Sequence, residues 1–149
     1  MFDKSATEVS EIGSKAYHLL SLQREGFRVP PFFVLSRYDV ALLFGSVLSE
    51  VESIFASTTI SSSALPTSDD LLARCERAQL LIESFEPPAE LLQPLIQRCL
   101  DTFGLDYYIS VRSSAMSEDS ASASFAGQHN TYLYTTQDTL VTNIKKSLA

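Results

Sequence analysis

Apolar residues recur at spacings of three and four over five stretches of the chain, and alternate or run unbroken over three short ones. Ala16, Leu19, Leu20 and Gln23 share one face of a predicted helix, with Ser14 as its N-cap and Gly26 as its stop. Residues 27–31 must be extended, because positions before proline avoid the helical region. The unbroken apolar run 32–35 then predicts a short buried strand. Ser36 caps a second helix, whose Val40, Leu43, Phe44, Val47, Leu48, Val51, Ile54 and Phe55 make a broad apolar stripe. Residues 57–68 are hydroxyl-rich and uncharged, and predict a loop or surface insertion. Thr67 with Asp70 forms a capping-box pattern before a third helix, with Leu71, Cys75, Ala78, Ile82 and Phe85 on its inner face. After Pro87-Pro88 a fourth helix carries Leu92, Leu95, Ile96, Cys99, Leu100 and Phe103, and ends at Gly104. Pro94 lies inside it and predicts a kink or a late start.

Strand periodicity follows. Tyr107, Ile109 and Val111 alternate with Tyr108, Ser110 and Arg112, and a second strand is predicted over 130–134. Thr135 with Asp138 caps a last helix with a stripe of Leu140, Val141, Ile144 and Leu148; Lys145 and Lys146 suit its C-terminal end. Five helices and short strands in this order predict an α+β fold, a small sheet flanked by helices.

The length of 149 residues suits one domain with a useful core. A hydrophobic share of 45% and a charged share of 19% are near globular averages. The net charge of −7 argues against a general binder of nucleic acid or anionic membrane, though local cations can still dominate a small pocket. No apolar run approaches the roughly 20 residues of a membrane span, and the N-terminus has no signal-peptide apolar region. Cys75 and Cys99 lie far apart, each on an apolar helical stripe. Their default role is core packing in a reducing cytosol, and no metal site is assigned.

Two stretches carry candidate chemistry. The first is Gly13-Ser14-Lys15 at a helix start. A lysine in the first turn opposes the macrodipole, a conflict that becomes useful if an anion sits there and meets both ammonium and free amides. A solvated lysine turned away is the plain alternative. The second stretch is 109–133, where Arg112 ends a strand and precedes a Ser- and Ala-rich loop with Phe125-Ala126-Gly127-Gln128. Arg112 would supply a guanidinium fork, and serine hydroxyls with a glycine-containing backbone would let amides approach phosphate oxygens. An exposed serine-rich hairpin loop, with Arg112 paired to Glu118 or Asp119, fits the same composition.

Together these stretches resemble a known family. IGSKAYHLLSLQREGFRVPPFFVLS (12–36) is similar to a family pattern of a Gly-Gly-Lys turn, a helix and Val-Pro-Pro-Gly-Phe. VRSSAMSEDSASASFAGQHNTYL (111–133) is similar to a Val-Arg-Ser-Ser-Ala and Ser-Phe-Ala-Gly-Gln pattern. Both belong to the N-terminal part of the ATP-binding domain of pyruvate phosphate dikinase and phosphoenolpyruvate synthase, an ATP-grasp-like domain that rifampicin phosphotransferases share. The resemblance implies one lobe of that domain, a fragment of a larger cytoplasmic phosphotransferase that passes a phosphoryl group from ATP through a phosphohistidine to pyruvate. It implies that Lys15 and Arg112 contact ATP phosphates as the catalytic cations and that Thr131 lies near the nucleotide. Ser124, Gly127 and Gln128 match the loop that covers the phosphates; that loop is expected to be mobile without ligand, with Phe125 as its anchor. Mg²⁺ is implied too, with its ligands mostly in a second lobe. A second lobe, a phosphohistidine domain and a pyruvate-binding domain are the implied partners. His18 and His129 are not expected to replace the phosphohistidine. Departures from the pattern are Ser14 and Phe32 where glycine is usual, Ser120-Ala121 for Leu-Pro, and Asn130 for an acidic residue. An antibiotic phosphotransferase and a stand-alone regulatory lobe are the alternative readings.

Overall fold

A computed structural model describes residues 9–56, 67–114 and 130–149. These form six helices and one two-stranded sheet: α1 (Val9–Ile12), α2 (Ser14–Arg24), α3 (Arg37–Ala56), α4 (Ser68–Ser84), α5 (Ala89–Phe103), β1 (Ile109–Arg112), β2 (Thr131–Thr135) and α6 (Gln137–Leu148). The α+β class expected from periodicity is the one observed. The loop predicted over 57–68 is shorter at its C-terminal end, because Thr67 already caps α4 through the Asp70 amide; 57–66 lie outside the described residues.

One core joins the helices to the sheet. Leu43, Phe44 and Val47 of α3 meet Ile82 of α4, Leu95 and Cys99 of α5, Tyr107, and Leu140 and Ile144 of α6. Ile109 and Val111 pack against this cluster, and Tyr107 is buried beside them. The alternation read from sequence therefore sends one face of β1 inward and leaves Arg112 on the solvent side.

β1 and β2 pair antiparallel, with Arg112 opposite Thr131 and Val111 opposite Tyr132. Ile109 faces Thr135, so β2 carries one extra residue between the pairs. Tyr134 takes the left-handed conformation there, at φ 54°, the mark of a bulge. The bulge turns Thr135 inward. Its hydroxyl donates to the Tyr132 carbonyl at 3.1 Å and accepts from Asn143 at 2.9 Å, tying the sheet to α6.

Several expectations are corrected. Residues 32–35 form no strand; no third strand among the described residues offers a ladder. Phe33 and Leu35 are held instead by core packing, with the Phe33 ring 5.7 Å from that of Phe103 and 5.0 Å from the Arg98 guanidinium. α5 starts at Ala89, not late, and continues through Pro94. The amide that Pro94 lacks would have met the Glu90 carbonyl, and both residues are exposed, so water can serve that acceptor. α6 is capped by Thr136 and Thr139, one residue later than predicted, because β2 takes Thr135. The inner stripe of α4 keeps Ala78, Ile82 and Phe85, where it meets α3 and α6; Leu71 and Cys75 are exposed. Gln23 is exposed as well.

Candidate functional site: the junction of α2 and β1

The start of α2 lies against the end of β1. Gly13 is the helix N-cap, not Ser14, and it adopts φ 76°, a region that L side chains resist. A Cβ added to Gly13 would overlap the backbone carbonyl of Ser114 and come 2.6 Å from its hydroxyl oxygen. Glycine is required there on both counts. Ser14 and Ala16, which follow it, are buried.

An N-cap glycine has no side chain to accept from the first-turn amides. Ser114 fills that role from elsewhere in the chain. Its Oγ accepts a hydrogen bond from the Ala16 amide at 3.1 Å, across a separation of 98 residues. The Tyr17 amide donates to the Gly13 carbonyl at 3.1 Å, closing the first turn. One of the amides expected to face an anion, that of Ala16, is thus used within the protein. At the other end, Glu25 and the left-handed Gly26 finish α2 in a Schellman motif. Gly26 N–H donates to Gln23 O, and Phe27 N–H to Leu22 O.

The predicted cations flank this junction. Lys15, half-buried, stands one residue before Ala16; Arg112, exposed, stands two residues before Ser114. Thr131, also exposed, sits opposite Arg112 on β2. Lys15, Arg112 and Thr131 therefore come to one end of the sheet. Ser113 adds a buried hydroxyl oxygen with no hydrogen-bond partner among the described residues. Ser124, Gly127 and Gln128 lie outside the described residues, as does all of the loop 113–128 expected to be mobile except Ser113 and Ser114. So do Glu118, Asp119 and His129. His18 is exposed on α2, its ring edge-on to Tyr17 at 6.0 Å.

The junction suits an anion better than a metal. It offers a guanidinium, an ammonium and hydroxyls at a helix N-terminus. None of its named residues is a carboxylate, and no group of three or more metal-ligating side chains occurs among the described residues. These residues alone do not make a Mg²⁺ site, which favours carboxylate oxygen.

Ser114 is the residue that reading the sequence missed. It stands in a serine-rich run, and nothing local to it reveals an acceptor for a helix 98 residues away. The only hint is Gly13, an N-cap position without a capping side chain.

Comparison with known proteins places the chain in a family. Residues 9–149 match the family described as pyruvate phosphate dikinase, AMP/ATP-binding domain. A phosphoenolpyruvate synthase of Pyrococcus furiosus is 28% identical, covering 87% of this chain and 20% of its own length. A rifampicin phosphotransferase of Streptomyces sviceus is 35% identical, over 85% of this chain and 14% of its own. A probable phosphoenolpyruvate synthase of Methanocaldococcus jannaschii is 30% identical, over 87% and 11%. The chain thus spans a fifth or less of the length of these relatives. With both motifs in order and the match running from the first described helix to the last, the chain belongs to the pyruvate phosphate dikinase AMP/ATP-binding domain family.

Proposed function

We propose that this chain is the first ATP-binding lobe of a dikinase-type phosphotransferase, with Lys15 and Arg112 holding the nucleotide phosphates. The observation that carries the reading is the hydrogen bond between the Ala16 amide and Ser114, which brings the two cation-bearing segments to one point. Transfer of a phosphoryl group spreads charge over its oxygens, and cations fixed in place stabilise that charge without reorganising. Arg112 acts as a two-pronged clamp and Lys15 as a compact point charge. Thr131, opposite Arg112, contributes a hydroxyl at the same edge. Ser124, Gly127 and Gln128 are proposed to cover the phosphates.

In the whole enzyme ATP would phosphorylate a histidine on another domain, and pyruvate would then accept the group to form phosphoenolpyruvate. The names of two relatives support that acceptor. Transfer to a rifampicin-type antibiotic is the second reading, favoured by the 35% identity to the Streptomyces protein. A second lobe, the phosphohistidine domain and the acceptor-binding domain are the partners this proposal requires. Mg²⁺ is proposed to arrive with ATP and to take its carboxylate ligands outside the junction. A cytoplasmic location is proposed with the metabolic role; no helix among the described residues is long and apolar enough to cross a membrane.

The test is an ATP titration of the isotope-labelled chain followed by NMR. Amide shifts should concentrate at 13–16, 112–114 and 131, and should vanish in Lys15→Ala with Arg112→Ala. Shifts centred elsewhere, or unchanged in that double variant, would overturn the assignment.

A further inference from the structure

We propose that Ser114 is a positioning residue for the nucleotide, one that sets Lys15 and Arg112 at a fixed separation before any ligand arrives. The inference rests on the phosphate-binding reading of those two cations. Its ground is that Ser114 touches α2 in two ways at one point. Its hydroxyl accepts from the Ala16 amide at 3.1 Å, and its backbone carbonyl packs against Gly13 so closely that a Cβ there would overlap it. The hydrogen bond resists separation and the backbone contact resists closer approach, so the two elements have little room to shift.

The tethers on either side are short. Arg112 is two residues from Ser114, at most about 7 Å along an extended chain. Lys15 adjoins Ala16, about 3.8 Å between Cα atoms. The Cα atoms of the two cations therefore lie within roughly 15 Å of each other. Each side chain extends about 6 Å at ordinary bond lengths, so both can reach one polyphosphate.

A local cap could finish α2 equally well. A serine at position 13 would normally do so, but the left-handed backbone and the Ser114 carbonyl exclude a side chain there. The acceptor is taken instead from the strand that bears Arg112. A cap borrowed from the other cation's element joins helix stability to site geometry. It also preorganises the site, so that a ligand meeting one cation finds the other in place.

The experiment compares the wild-type chain with Ser114→Ala, which removes the acceptor, and Ser114→Thr, which retains it. Amide exchange at Ala16 and ATP titration by NMR are the two readouts. In Ser114→Ala, exchange at Ala16 should rise at least about tenfold and the ATP dissociation constant should weaken about five- to tenfold, the size of one lost hydrogen bond. Ser114→Thr should stay within about twofold of wild type in both, a rescue that follows from its hydroxyl. Wild-type affinity in Ser114→Ala alongside fast exchange at Ala16 would reduce Ser114 to a helix cap. Unchanged exchange would show that the bond is not made; either result overturns the proposal.

A double-variant cycle decides the matter even if Ser114→Ala does not fold. With prepositioned cations, Lys15→Ala combined with Arg112→Ala should lose less affinity than the product of the two single losses. Fully multiplicative losses would mean independent cations and end the inference. Retention of ATP by both single variants would remove the phosphate-binding reading itself, and this proposal with it, a failure distinct from the others.

Discussion

Arg112 closes β1 with its side chain on the strand's solvent face, where loss of charge should not disturb the core. We predict that Arg112→Lys weakens ATP almost as much as Arg112→Ala, because one ammonium cannot reproduce the guanidinium fork. Melting temperatures of both should stay near wild type, since exposed substitutions cost within about 0.5 kcal/mol. Binding by Arg112→Lys equal to wild type would make Arg112 a simple point charge. Tyr107 gives a residue-scale prediction of another kind. Burial, then the neighbouring Cys99 thiol, pushes its hydroxyl from an ordinary 10.0 up to about 12. Burial also raises the Cys99 thiol, with partial relief from Tyr107 and Arg98. Both groups are neutral in the folded state while the unfolded chain releases their protons at lower pH. Stability is therefore complete below the unfolded values and is lost as pH rises, for Tyr107 between 10.0 and about 12. The Tyr107 share is on the order of 2 kcal/mol. Denaturant melts at stepped alkaline pH should show a shallower decline in Tyr107→Phe than in wild type; parallel declines would refute the assignment. Residue identity singled out Arg112 and Lys15 in the sequence as candidates, cations beside turns. Ser114 was not singled out, because its role is a bond to a distant amide.

Elements were legible where periodicity was strong and the core decided their placement. α3, α5 and α6 bury residues from the predicted stripes, Leu43, Phe44, Val47, Leu95, Cys99, Leu140 and Ile144 among them. Capping chemistry was legible at Ser36, whose amide and hydroxyl both donate to the buried Asp39 carboxylate at 2.8 and 2.7 Å. What failed needed tertiary information. An apolar run such as 32–35 becomes a strand only if a neighbour offers a ladder, and Cys75 becomes core only if another element covers it. Lys145 shows the same limit. Position suited it to a helix C-terminal end, yet it is 6% exposed and reaches the residues just past α4, with Nζ 2.9 Å from the Phe85 carbonyl and 2.8 Å from Glu86. Glu86 itself is 79% exposed. Removing the two partners should therefore have unequal effects. Lys145→Met leaves a solvated carboxylate and should cost roughly 1 kcal/mol, whereas Glu86→Ala leaves a buried ammonium with one carbonyl and should cost about 2–3 kcal/mol. Equal losses in urea melts would contradict this account of the pair.

At the scale of the whole chain, the proposed reading makes the fold one wall of a nucleotide site. The sheet edge offers Arg112 and Thr131, and the α2 start offers Lys15. The same core that holds α3 to α6 also packs against β1 through Ile109 and Val111, and Ser114, two residues past the strand, meets Gly13. A few phosphate contacts on one wall still have to offset the loss of ligand freedom, which costs at least about 4 kcal/mol. Two charge-assisted contacts at about 1.5–3 kcal/mol each roughly match that cost and leave little surplus. The chain also spans a fifth or less of its relatives, whose remaining length is the natural source of further contacts. We therefore predict that the 149-residue chain binds ATP more weakly than about 1 mM. Magnesium should change this little, because the described residues of the junction bring no carboxylate to the metal. NMR titration with and without Mg²⁺ measures both quantities on one sample. A micromolar dissociation constant would mean that this single lobe already builds a complete site, with contacts beyond the junction described. A large strengthening by Mg²⁺ would place metal ligands within these 149 residues, and the proposed division of labour between the junction and the rest of the protein would have to be redrawn.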